Sequence, residues 1–145
     1  MSTILERVMP LWSGPLPEGD DALAQFRAVY ADPVEVNGTP TDLRDLVDRA
    51  RMLQRAFGRL QHEVLQVVEA GDHLAVAFRL RGHHLGPLET PLGPVPPTGR
   101  RLEVQGMDIF ELCLGRIHAL WAVADQLDLL LQAEAVALRV PTAPV

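Results

Sequence analysis

The chain has 145 residues, 48% hydrophobic and 22% charged, with a formal net charge of −6. That composition belongs to one folded domain with one sizeable core and excludes a disordered chain. The acidic balance argues against nucleic-acid and anionic-membrane partners, which want a basic field. All 13 basic residues are arginine, so a lysine Schiff base and a P-loop are both excluded. Cys113 is the single cysteine, which rules out an internal disulfide and a cysteine-based zinc site. No apolar run is long enough to span a bilayer, and the N-terminus lacks a signal-peptide pattern, so the expected location is cytoplasmic.

Leu5, Val8, Met9 and Trp12 stand at helical spacing over 3–12. "SGPLPEGD" then breaks the chain, and Asp20 or Asp21 caps a second helix with Leu23, Phe26 and Tyr30 on one face. A short strand from Val34 to Asn37 closes in a turn. In "TPTDLRDLVDRARMLQRAF", Thr39 is the expected N-cap and Pro40 the first helical residue, with an apolar stripe through Leu43, Leu46, Val47, Ala50, Leu53 and Phe57. Its arginines form a solvated face, and Gly58 stops the helix. The period then turns β-rich: two strands meet at "EAGD", a proline-rich segment 86–98 follows, and a second hairpin turns at "CLGR". A leucine-rich helix runs from Gln126 to about Leu138. The order predicts a single α+β domain, 1–145, with its core over about 3–132, a loose tail at 139–145 and helices on one face of a curved sheet.

The pieces Gly82–His84–Gly86, Pro97–Thr98–Gly99–Arg100, Gly106–Asp108–Phe110 and Trp121–Asp125–Leu127 resemble the SnoaL-like polyketide cyclase (ester cyclase) family. That family belongs to the nuclear transport factor 2-like, or cystatin-like, superfamily. The resemblance covers most of the chain and implies a cone: a curved antiparallel sheet wrapped around helices with a central pocket. It implies homodimers formed through the sheet. It also implies a cofactor-free intramolecular aldol cyclisation of a small polyketide-like carbonyl compound, with an aspartate, here Asp125, as acid/base. The chain departs from the family at Asn37, where members often carry histidine, and at Ala119 and Leu120, where glutamate and histidine are frequent.

Strand alternation tests the placement. Phe78, Leu80, Gly82 and His84 share a face, as do Leu102, Val104, Gly106, Asp108 and Phe110, and as do Ile117, Ala119, Trp121, Val123 and Asp125. Alternation thus points His84, Asp108 and Asp125 into one pocket. Asp125 is the expected base and His84 the hydrogen-bond donor to the enolate. Trp121 supplies a flat wall and Asn37 orients an oxygen, while Asp108, Tyr30, Phe57 and Phe110 complete the substrate lining. Simpler readings stand beside these. Asp125 is equally a cap for "QLDLLLQ", His84 a satisfied core histidine, Asp108 part of a buried pair, and Trp121 core. His83 and His84 point to opposite faces, so no metal is expected. The alternatives to a cyclase are a non-catalytic domain binding a hydrophobic small molecule or dimerising, and an isomerase that uses Tyr30 with two acids.

Overall fold

The computed structural model describes residues 3–144. Helices α1 (Thr3–Ser13), α2 (Asp20–Arg27) and α3 (Leu43–Ala56) pack on one face of a sheet made from β1 (Tyr30–Val36), β2 (Thr39–Thr41), β3 (Phe57–Ala70), β4 (His73–His84), β7 (Arg101–Cys113) and β8 (Arg116–Ala124). A separate hairpin, β5 (Leu88–Thr90) with β6 (Gly93–Val95), and α4 (Gln126–Gln132) complete the chain. The sheet order is β2-β1-β8-β7-β4-β3. Only β1 and β8 run parallel; the other pairs are antiparallel. The expected α+β architecture is therefore present.

Three local expectations are corrected. Thr39 does not cap the long helix. Asn37 and Gly38 both take positive φ, 52° and 83°, and an Asn-Gly pair in that conformation makes a tight two-residue hairpin. The chain doubles back at once, so Thr39–Thr41 pairs with Val34–Val36 and Asp42 caps α3, its carboxylate accepting from the Arg44 amide at 2.9 Å. Tyr30 opens β1 rather than closing a helix. The last helix ends at Gln132, not near Leu138, because Glu134 turns left-handed. The amides of Glu134 and Ala135 then bond back to the carbonyls of Leu131 and Leu130, a Schellman-type stop.

Burial divides the interior into two hydrophobic clusters. The first joins α1, α2 and α3 to the sheet through Phe26, Tyr30, Leu43, Leu46, Leu74, Val76, Phe110, Ile117 and Leu120. The second joins the α3–β3 junction, β5, β6 and α4 through Phe57, Leu88, Val95, Leu102, Leu129 and Leu130. Phe110 is thus core of the first cluster and Phe57 of the second.

Alternation holds on β4 and β7 but slips on β8. Leu112 pairs with Ile117 and Glu111 with Ala119, leaving His118 as an extra residue. A bulge of this kind shifts the following side chains to the opposite face. Ile117 faces inward, but beyond the bulge the inward set is Leu120, Ala122 and Ala124. Trp121 and Val123 are exposed on the convex face, opposite Ile109 and Met107. A reading that carries parity straight from Ile117 inverts everything after His118.

Candidate active site

Between the two clusters the concave face is incompletely covered. His62, Val64, Phe78, Val104, Asp108, Ala122 and Ala124 are all part-exposed there, while the same face at either end is buried. The register places Phe78 beside Gly106, Gly106 beside Ala124, and Val76 beside Asp108. Gly106 makes room for the Phe78 ring: a Cβ added there would lie 2.5 Å from the ring tip. The His62 ring meets Phe78 edge-on, with centroids 5.0 Å apart. This partly open stretch of the concave face, the hollow, is bordered by aromatic and apolar side chains with Asp108 among them.

No hydrogen bond or ion pair among the described residues reaches the Asp108 carboxyl. Burial disfavours its charged form and raises its pKa from 3.8 to about 7. Tyr30, 2% exposed, is the electrostatic neighbour. Burial chiefly, and the nearby Asp108 charge further, push its phenol above the ordinary range, while a hydrogen bond from Trp12 acts the other way. Trp12 Nε1 donates to the Tyr30 hydroxyl at 3.0 Å, and Tyr30 stacks on Phe26. The hydroxyl is thus a held, neutral O–H whose own proton is free for an acceptor. His62 keeps a buried Nδ1 without a partner, and burial lowers its pKa, which favours the neutral ring.

The expected pairing of Asp125 with His84 is corrected. Asp125 is exposed and caps α4, accepting from the Asp128 amide at 3.1 Å. Its own amide bonds Gln105, whereas that of His84 bonds Arg100. Five residues of extended chain separate those points, roughly 17 Å. His84 is fully buried with Nδ1 held by Thr98, whose backbone amide donates to it at 3.2 Å, and its ring lies near Phe57. Asp108 is farther still, because its β4 partner Val76 lies eight residues from His84, roughly 26 Å.

Trp121, 60% exposed, lines no hollow; it covers Gly38 on the outer face. Asn37 has its amide committed at the sheet edge, donating to the Ala122 carbonyl at 3.2 Å and accepting from the Ala122 amide at 2.8 Å. Of the expected lining, Asp108 and Tyr30 come together. Trp12, His62 and Phe78 were not anticipated as lining. The alternation that placed His84 also puts Leu60, His62 and Val64 on one face, and that signal pointed to His62. Trp12 needed the helix docked against the sheet. Among the described residues no cluster of metal-ligating side chains occurs, and no helix is long and apolar enough to cross a membrane.

A curved sheet folded over three helices, with a part-exposed acid on its concave face between two cores, defines the class: a nuclear transport factor 2-like cone. Within that class the chain belongs to the SnoaL-like polyketide cyclase family, whose model matches residues 17–133. Solved structures agree on the fold. TsrD from Streptomyces laurentii superposes with a TM-score of 0.75 at 19% identity, covering 92% of this chain and 93% of its own. A SnoaL-like polyketide cyclase from Agrobacterium tumefaciens gives 0.69 at 20% identity, covering 91% and 98%. IdmH from Streptomyces antibioticus gives 0.68 at 22% identity, covering 92% and 99%. No curated protein sequence matches the chain.

Proposed function

We propose that the protein is a cofactor-free cyclase acting on a small polyketide-like carbonyl compound, with Asp108 as its base. The observation that carries this reading is the carboxyl of Asp108. It is unpartnered and mostly buried among apolar walls, with its pKa raised to about 7, the range in which a carboxylate serves best as a base near neutral pH. Ionised Asp108 takes the proton from a carbon between two carbonyls, and the C–H electron pair moves onto a carbonyl oxygen. The Tyr30 hydroxyl donates to that enolate oxygen. The enolate carbon then attacks a second carbonyl of the same molecule and forms the ring bond. The new alkoxide recovers the proton from Asp108, so the carboxylate is regenerated and nothing is oxidised or reduced.

The same pair, a neutral tyrosine O–H near a raised-pKa acid, also supports a carbonyl isomerase, in which the proton returns to a different carbon. Both reactions begin with proton abstraction from carbon. The exposed apolar side chains of the convex sheet face support a homodimer through the sheet as the working form.

Kemp elimination of 5-nitrobenzisoxazole reads the base directly, since one carbon-bound proton is removed and a coloured phenolate appears. The expected rate rises with pH through about 7 and then levels, following the carboxylate of Asp108. Asp108→Asn abolishes it. Asp125→Ala keeps it and costs only helix-cap stability, about 1 kcal/mol. Full activity in Asp108→Asn, or loss confined to Asp125→Ala, would overturn the assignment.

A further inference from the structure

A cleft of about 430 Å³ opens between the α1–α2 loop, the end of α3 and the start of β3. Among its walls are Leu16, which packs on the first cluster, and Leu60, which packs on the second. The cleft therefore opens where the two clusters part. From it, Leu60, His62 and Val64 run along the inward face of β3 toward Phe78. The cleft lies at the β3 end of that concave face, the position a mouth of the hollow would take.

The cleft carries charge of the sign opposite to the whole chain. Arg51, Arg55 and Arg59 line it against Glu18 alone, an excess of two positive charges in a chain of net charge −6. Arg51 is occupied, donating to the Pro17 carbonyl at 2.8 Å and to that of Gly19 at 3.4 Å, which pins the loop. Arg55 and Arg59 are exposed, and among the described residues neither guanidinium has a hydrogen bond or an ion pair. This contrasts with Arg79 and Arg81 on the outer face, which are both paired with Glu63 and Glu103. Arg59 also sits in a bulge of β3 with φ of 53°, a conformation that non-glycine residues adopt only at a cost, and bulges commonly re-aim a side chain.

We infer that Arg55 and Arg59 bind an anionic group, carboxylate or phosphate, at one end of the substrate while its carbonyl portion reaches down the hollow. Guanidinium forks match both oxyanions. The inference rests on the hollow as the substrate site and adds the substrate's class. The Arg81 row and the Val76–Asp108 row lie five β4 residues apart, roughly 17 Å. The substrate is accordingly elongated, a ring system with an acidic arm, rather than a compact neutral ester.

Three probes of one ring system test this by tryptophan fluorescence or calorimetry: 2-naphthoate, 2-naphthyl phosphate and methyl 2-naphthoate. An anion should bind more tightly than the ester, and added salt should weaken only the anion. Arg55→Ala with Arg59→Ala should weaken the anion roughly three- to tenfold, as two solvent-facing charge contacts allow, and leave the ester unchanged. Arg55→Lys with Arg59→Lys should recover part of the loss. Arg44→Ala, on α3 away from the cleft, should change nothing. Preference for naphthoate assigns a carboxylate, and preference for the phosphate ester assigns a phosphate. Equal affinity for anion and ester, equal weakening by Arg44→Ala, or no binding of any probe overturns the inference. A parent protein that abstracts the proton of the neutral benzisoxazole but shows no anion selectivity, or a double alanine variant that keeps that selectivity, overturns this inference alone. Loss of proton abstraction with selectivity intact overturns the base alone.

Discussion

Asp108 ties stability to pH with a definite sign. Its folded-state pKa, about 7, stands above its ordinary 3.8, so the folded chain holds this proton more tightly than the unfolded chain. The stability linked to that proton is complete below pH 4 and is lost as pH rises through 7. The neutral isostere Asp108→Asn escapes the loss. At pH 8 it should unfold at a higher temperature than the parent, by roughly 3–9 °C for a gain of roughly 1–3 kcal/mol. At pH 4 the two should coincide. Thermal melts at both pH values check this, and parallel curves would mean a fully hydrated carboxyl. Asp125 instead lies at the surface, where its carboxylate accepts from the Asp128 amide. The two acids read alike in the sequence, each on an apolar-looking stretch. Only their surroundings separate the exposed cap from the part-buried acid.

Among the elements, the junction of α3 with β3 explains the motif Gly82–His84–Gly86. Gly82 lies under Phe57, where an added Cβ would stand 2.7 Å from that side chain's Cβ. Gly86 lies under the helix end, where a Cβ would stand 2.3 Å from the Arg55 carbonyl oxygen. The amides of Leu85 and Gly86 both bond to the Ala56 carbonyl. The motif therefore seats the helix terminus on the hairpin, with His84 sealed beneath. Backbone cannot yield as a side-chain tip can, so Gly86→Ala should cost about 3 kcal/mol, the upper part of the range for overpacking. A fall in the denaturant midpoint at unchanged slope would show it. The sequence showed the motif but not its reason, because the second partner arrives from 30 residues earlier in the chain. The bulge at His118 is the same kind of fact: nothing in "GRIHALWAVAD" marks where parity changes.

For the whole molecule, the convex face is the unfinished surface. Met107, Ile109, Trp121 and Val123 are 65%, 45%, 60% and 70% exposed. They form two adjacent cross-strand pairs, Met107 with Val123 and Ile109 with Trp121. A contiguous apolar patch of this kind suits the proposed homodimer, in which a two-fold axis would pair it with itself. Sedimentation at micromolar concentration should find the parent as a dimer and Trp121→Arg as a monomer. The variant should keep its fold, because Trp121 faces outward. A parent that sediments as a monomer would remove the dimer from the account.

What the sequence by itself determined was the sequence-local part of the fold: the apolar stripe of α3, the two long hairpins, the turns at Asn37–Gly38, Gly71–Asp72 and Leu114–Gly115, and the family. The fold features depend on periodicity or turn chemistry within a few residues, and the family on the resemblance of its motifs. It also placed Asp108 on the apolar face of its strand, because alternation on β7 runs unbroken. Tertiary structure alone decided which acid is part-buried without a partner, which face Trp121 takes, and that three arginines gather at a cleft between two cores. Those outcomes depend on a bulge and on helices packed from distant parts of the chain, and burial, unlike periodicity, is a property of neighbours the local sequence does not contain.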